Sequence, residues 1–378
     1  MAKPIYLDYN ATTPHDPRVV DAMRPYLESE FGNPSSSHWY GTAPRRAVDE
    51  ARAQVAALIN CRPEEVIFTS GGTESNNHAI TSAARLYRGR GRHIITSQVE
   101  HPAVLEVCAF LEGEGYEVTY LPVDGTGRVD PADVESAVRP DTILISIMHA
   151  NNEVGTIQPI SEISGIAARN SIAVHTDAAQ SAGKIPVDVE DLGVSFLSIA
   201  GHKLYAPKGV GALYIQEGIP LPPFCHGAGQ EGGRRAGTEN VLEIAGLGKA
   251  CGIAAQNLAE NAAHMAELRD RLEGGICAVC EDVRVNGHRE QRLPNTLSIS
   301  FGGREANRIL EAVGQEVAAS AGAACHSDAV VISHILKAMG IEEFWAKGTL
   351  RFSTGRMSTH EEIDQALQLI VQAVESFT

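Results

Sequence analysis

No stretch of about twenty apolar residues occurs in the 378-residue sequence, so no transmembrane helix is expected. The opening segment Met1–Pro14, MAKPIYLDYNATTP, lacks the apolar core of a secretory signal, and none is expected. Basic side chains are scarce: 31 Lys and Arg stand against 47 Asp and Glu, a formal charge of −16. That balance argues against a nucleic-acid scaffold, which needs basic patches for phosphates. Cysteines number seven: Cys61, Cys108, Cys225, Cys251, Cys277, Cys280 and Cys325. An odd, scattered set in a long chain is not the disulfide framework of a secreted domain, and the cytoplasm is the expected compartment. Cys277 and Cys280 form a C-x-x-C, but nothing completes the three or four ligands of a zinc site, so packing is the expected role and no metal is expected. Internal repeats and low-complexity linkers are missing too.

What is present reads as an ordinary globular chain, with 43% hydrophobic and 21% charged residues. At roughly 150 residues per domain the length suggests two. Short β-rich runs alternate with helical patterns between about Val66 and Ile215. The strand candidates are Val66–Thr69, His93–Ser97, Val118–Leu121, Thr142–Met148, Ala173–Thr176, Phe196–Ile199 and Gly211–Ile215. Several are apolar on both faces, as in a buried, mostly parallel sheet. Ala103–Glu114, Pro131–Val138 and Ile160–Arg169 carry helical spacing between them, and the alternation is the α/β signature. A long Ala-rich helical stretch, Val241–Leu272, follows. Then come strands Val283–Val285 and Thr296–Phe301, a helix near Glu305–Val313 and an amphipathic helix Glu361–Ser376. The expected division is a large domain over residues 15–255, and a smaller α+β domain made of residues 1–14 and 256–378.

Three segments carry chemistry. Strand Val66–Thr69 runs into Ser70-Gly71-Gly72-Thr73-Glu74-Ser75 and then a helix. Free N–H groups at such a start can cradle an anion, with Thr73 and Ser75 as added hydroxyls. The spacing is neither G-x-G-x-x-G nor a P-loop, so a dinucleotide or nucleoside triphosphate is not favoured; a plain glycine turn remains the bland alternative. Asp177, in His175-Thr176-Asp177-Ala178-Ala179-Gln180, ends a strand, where it can pair with a protonated heterocycle or simply cap the next helix. Lys203, in Ala200-Gly201-His202-Lys203, also ends a strand, and burial there would lower its pKa and make it nucleophilic. An anion cup, an acid and a buried amine together point to pyridoxal phosphate. His101, in Glu100-His101-Pro102, sits at the same edge, able to stack on a planar cofactor or move a proton. Cys325, in Ser320-Ala321-Gly322-Ala323-Ala324-Cys325-His326-Ser327, reads as an open small-residue loop whose histidine neighbour favours thiolate.

The ordered segments YLDYNATTP, FGNPSSSH, IFTSGGTESNN, EHPAVLE, HANNEVGTIQPI, HTDAAQSAGKIPVDV, GHKLYAPKGVGALYI, RRAGTENV and LRFSTGR resemble the NifS/IscS-type cysteine desulfurases of the class V aminotransferase family. The resemblance runs nearly end to end. It implies a pyridoxal-phosphate-dependent transferase of fold type I, homodimeric, with each site between domains and near the subunit interface. By motif it implies that Lys203 carries the cofactor, His101 stacks on its ring and Asp177 pairs with the ring nitrogen. Asn152 and Gln180 would meet the ring oxygen; Gly72, Thr73 and His202 would bind the phosphate, joined by Thr238 from the second copy. Arg351 would hold the substrate carboxylate by a bidentate fork, with Asn10 near the substrate. The implied reaction converts L-cysteine to L-alanine, leaving sulfur on Cys325 as a persulfide for an acceptor such as an iron–sulfur scaffold protein, with no direct part for nucleic acid or membrane.

Two departures bear on specificity. Ala200 stands where the family often has a serine, removing one hydroxyl from the phosphate site. The loop A-G-A-A-C-H-S-D is similar to that of selenocysteine lyases, whereas Pro102 after His101 follows the desulfurases, so L-selenocysteine stays open as a substrate. A class V aminotransferase, which needs Lys203 and Asp177 but no loop cysteine, and a sulfur carrier or scaffold, which needs Cys325 but no cofactor, are the rival readings.

Overall fold

In the computed structural model, which describes residues 4–326 and 329–377 and, within these, no side chains for 323–330, seven strands build the main sheet. Their spatial order is Val66–Thr69, Gly211–Ile215, Phe196–Ala200, Ala173–Asp177, Thr142–Ser146, His93–Ser97 and Glu117–Leu121. Gly211–Ile215 alone runs against its two neighbours; the other pairings are parallel. Every residue of the first six strands in that order is buried, whereas the edge strand Glu117–Leu121 is partly exposed. Helices cover both faces, so the strands need apolar side chains on both, which is why they read as unbroken hydrophobic runs.

The crossover helices begin where the sequence makes a helix start cheaply. Pro102 and Pro131 occupy first helical positions, just after His101 and Asp130, whose side chains accept from Ala103 N and Ala132 N. A second sheet pairs Thr296–Phe301 with Val283–Asn286 on one side and Thr349–Ser353 on the other, all antiparallel, and Ser320–Ala321 extends it. Its core draws Ile5 and Leu7 from the N-terminal segment together with Leu268, Leu272, Ile299, Phe352 and Ile370. Ile5–Tyr6 pairs in parallel with Val317–Ala318. Among the described residues no helix is long and apolar enough to cross a membrane.

Three expectations need correction. The helical run Val241–Leu272 is two helices, Val241–Gln256 and Leu258–Val279, broken at Asn257. The Asn257 amide donates to Ile253 O at 3.0 Å, a local bond that competes with helix continuation. The strand expected to reach Met148 ends at Ser146, because Met148 N turns to the Glu100 carboxylate at 2.9 Å. Of the open loop expected at Ser320–Ser327, the described residues 320–326 are mostly extended, and Ser327 lies outside the described residues. Ser320–Ala321 pairs with Leu350 and Arg351, and Ala323–His326 pairs antiparallel with Ala329–Ile332. Small residues gave no β signal, and the ladder partners supply the conformation. Of the C-x-x-C pair, Cys280 packs in the small core while Cys277 is exposed. No metal-ligand cluster occurs among the described residues.

Candidate active site

The carboxyl ends of the parallel strands converge on one cavity, as expected for open α/β sheets. The cavity holds about 410 Å³ and is lined by Gly72, Thr73, His101, Asn152, Asp177, Gln180, His202, Lys203 and Arg351. This volume suits a small cofactor with a substrate.

The cup forms where Val66–Thr69 meets the helix Gly72–Tyr87. Gly71 adopts φ +145°, a conformation L side chains rarely take, and turns the chain sharply. A Cβ on Gly72 would lie 3.3 Å from the Ala200 methyl, so the cup floor is close packed. Thr73 faces the cavity. Ser75 does not: its fully buried hydroxyl bonds Thr69 Oγ1 at 2.8 Å and Ala212 O at 3.1 Å. The sequence offered both hydroxyls, but helix geometry points only one of them at an anion.

Asp177 is buried at the end of its strand. Its Oδ1 accepts from Ala179 N at 2.9 Å, and its Oδ2 from Asn76 Nδ2 at 2.6 Å. Asn76 was missed at sequence level, although one helical turn from Thr73 it had to share that face. Its own Oδ1 is buried and unpartnered. His101 Nδ1 accepts from Ala103 N at 3.1 Å, which leaves the proton on Nε2 toward the cavity. Desolvation holds this imidazole below its ordinary pKa, with Asp177 opposing and Lys203 and His334 assisting. His202 Nδ1 lies 3.2 Å from Thr12 Oγ1, and burial lowers its pKa to about 4.

Lys203 occupies the tight turn Gly201–Lys203 directly after the strand Phe196–Ala200. Its Nζ donates to Asn10 O at 2.5 Å and Ala11 O at 2.8 Å. Burial, with Arg351 nearby, lowers its pKa to about 8 against the pull of Asp177 and Asp8. About a tenth of the lysine is therefore free amine at pH 7, far more than an ordinary lysine offers.

Arg351 lies on the strand Thr349–Ser353. Its Nη2 donates to Asp8 Oδ1 at 2.7 Å and to Ser320 Oγ at 2.8 Å, and its Nη1 to Asn152 O at 3.1 Å. Its Nε and the Asn152 Oδ1 are buried without partners. Gln180 lines the cavity but spends its amide elsewhere, giving Nε2 to Asn10 O at 2.9 Å and accepting Lys184 Nζ at 2.9 Å. Thr238 is exposed and does not line the cavity of its own chain. Cys325 pairs through its backbone with Val330; its side chain lies outside the described residues.

An anion cup, a buried carboxylate, a low-pKa amine and a guanidinium around one cavity suit chemistry on an amino acid. A family model for class-V aminotransferases matches residues 5–366. The chain belongs to that family. Within it, its sequence is 49% identical to a cysteine desulfurase IscS of Dictyoglomus turgidum over 99% of this chain and 95% of that protein. A solved NifS-like protein superposes with a TM-score of 0.93 at 39% identity, covering 99% of this chain and all of the other. A structure described as SspA in complex with cysteine gives a TM-score of 0.82 at 37% identity, over 94% of this chain and 99% of that one. The chain is thus a NifS/IscS-like member, an enzyme of the cysteine desulfurase group.

Proposed function

We propose that this enzyme uses pyridoxal phosphate to convert L-cysteine to L-alanine, passing the sulfur to Cys325. The observation that carries the reading is the meeting of the lowered-pKa Lys203 with Asp177 and the Gly72 cup in one cavity. The residues present fit the cofactor. The helix start at Gly72 and Thr73, with His202, offers N–H, hydroxyl and imidazole groups to a phosphate. The Asp177 carboxylate suits a protonated ring nitrogen, and the unpartnered Asn152 Oδ1 and Asn76 Oδ1 are buried polar atoms at the cavity with capacity to spare. His101 offers its ring face, Gln180 lines the cavity with its amide engaged by Asn10 and Lys184, and Thr238 of the partner subunit would complete the phosphate contacts in a homodimer.

The bound cofactor supplies an electron sink for charge developing at the substrate Cα. Lys203 Nζ, as amine, accepts the Cα proton and later returns one. Asp177 keeps the ring nitrogen cationic by accepting its hydrogen bond. Arg351 would hold the carboxylate through its guanidinium: Nε is unpartnered, and a two-pronged grip with Nη2 requires that nitrogen to release Asp8 or Ser320. The Cys325 thiolate attacks the substrate sulfur; the S–S bond forms as the Cβ–S bond breaks, and Cβ gains a proton. Balanced, cysteine and the Cys325 thiol give alanine and a Cys325 persulfide, which a thiol on an acceptor protein, such as an iron–sulfur scaffold, then removes.

We place the two domains at residues 15–255 and at 1–14 with 256–378, the site between them, and the enzyme in the cytoplasm. The test incubates cofactor-loaded enzyme with L-cysteine and a reducing thiol and measures alanine and sulfide. Equal amounts of the two support the reading; a keto-acid product with no sulfide defeats it.

A further inference from the structure

Lys184 lies in the segment HTDAAQSAGKIPVDV but drew no role from it; its amine sits behind the cavity, bonded to Asn10 and Gln180, which line it. It is 5% exposed, and its Nζ donates to Asn10 Oδ1 and Gln180 Oε1, both at 2.9 Å. Neither acceptor is a carboxylate. Burial, with Lys203 and Arg351 nearby, lowers its pKa well below 10.5. A neutral amine has two N–H groups, and two oxygens take them, so the bonding is complete without a charge.

The surrounding bonds leave each amide one orientation. Asn10 Nδ2 donates to Asn152 O at 3.1 Å and Thr296 Oγ1 at 2.8 Å, so Oδ1 must face Lys184 and Asn295. Gln180 Nε2 donates to Asn10 O, a carbonyl that can only accept, so Oε1 must face Lys184. Asn10 O thus receives two donors, Gln180 Nε2 and Lys203 Nζ, which fill its two lone pairs.

We propose that Lys184 is a positioning residue for Lys203: by gripping the oxygen ends of Asn10 and Gln180, it holds the Asn10 carbonyl where the Lys203 amine is seated. Only the importance of Lys203 rests on the proposed function; the linkage is this chain's own. An apolar side chain at 184 takes a donor from Asn10 Oδ1 and Gln180 Oε1, and these two buried residues must move to satisfy their oxygens. Asn10 O shifts, and the Lys203 ammonium loses an acceptor that favours its charged form. The groups facing Lys203 are Asp177, Asp8, Arg351, His101 and His202 as well as Lys184. All but Lys184 stay in place in the variant.

The test is competitive acylation of Lys203 against pH in the cofactor-free full chain, read by mass spectrometry, for wild type and Lys184→Met. Thermal melts check that both are folded. Positioning lowers the Lys203 midpoint by about half a unit to one unit, a roughly 3- to 10-fold gain in amine at a fixed lower pH. An unchanged midpoint overturns the proposal. So does a raised midpoint, which would mean that Lys184 acts by charge alone. If Lys184→Met does not fold, Lys184→Ala removes the same two donors with a smaller side chain and must lower the midpoint too; an unchanged or raised value there is equally decisive. Cofactor uptake and alanine release by the wild type are measured alongside. Their failure counts against the proposed function and leaves the acylation result standing.

Discussion

Arg351 and Asp8 are joined through a single guanidinium nitrogen, Nη2 to Oδ1 at 2.7 Å, so the carboxylate orients the guanidinium and leaves Nε without a partner. Ser320 Oγ and Asn152 O accept two more of its hydrogens, while the Nε hydrogen has no acceptor. Arg351→Lys replaces a planar fork by a point charge. The expected loss is about 1.5–3 kcal/mol of carboxylate binding, or roughly 10- to 100-fold in KM for cysteine. Steady-state alanine formation measures it, and an unchanged KM removes Arg351 from substrate binding.

Cys325→Ala separates cofactor chemistry from sulfur transfer. The variant keeps the absorbance of bound pyridoxal phosphate but loses sulfide and alanine production from cysteine by roughly a hundredfold or more. The same assay with selenocysteine tests the lyase-like loop. Full turnover of cysteine by the variant rules out the nucleophile assigned here.

Histidines set an acid limit on stability. His78, His149 and His175 are buried, and desolvation lowers each to about 4 from 6.5. Between those pH values the unfolded chain binds protons that the folded chain refuses, so stability is lost as pH falls through the window. The slope reaches at most about 1.4 kcal/mol per pH unit for each histidine. Glu100, raised to about 8 by burial, opposes this with one proton of the other sign. Urea midpoints at pH 7 and pH 5 should therefore differ, with pH 5 the weaker.

Asp16 is tied to Arg356 at 2.6 Å, and both side chains are nearly buried. The Arg356 guanidinium also lies 3.8 Å over the Tyr205 ring, two residues after Lys203. Asp16→Ala strands a buried cation and should cost about 3–5 kcal/mol. Chemical denaturation reads this directly, and a change below about 1 kcal/mol would show that water replaces the carboxylate.

The main sheet was legible because its strands are buried on both faces; His93–Ser97 and Gly211–Ile215 begin and end as their apolar runs do. Gly72, Asp177 and Lys203 each had a bland alternative alone; they were legible only as a set, and all three line one cavity. Asn76, Lys184 and Asp8 were not. Each acts through a partner far away in sequence, as Asp8 does with Arg351, 343 positions on, and no local pattern marks such a partner. Ser75 misled for the converse reason: a hydroxyl beside the glycines belongs to the strand once the helix turns.

Asn10 meets Gln180, Lys184, Lys203, Asn295, Thr296 and Ser353 with one side chain and one peptide unit. Its N–H donates to Ser353 Oγ across 343 positions. During synthesis Asn10 emerges early and most of its partners much later. The seat of the Lys203 amine therefore cannot be finished until residue 353 has left the ribosome. Such distant closures are made late because their loop entropy must be met first. The Lys203 seat is therefore among the last parts of the fold to close, after both sheets have met.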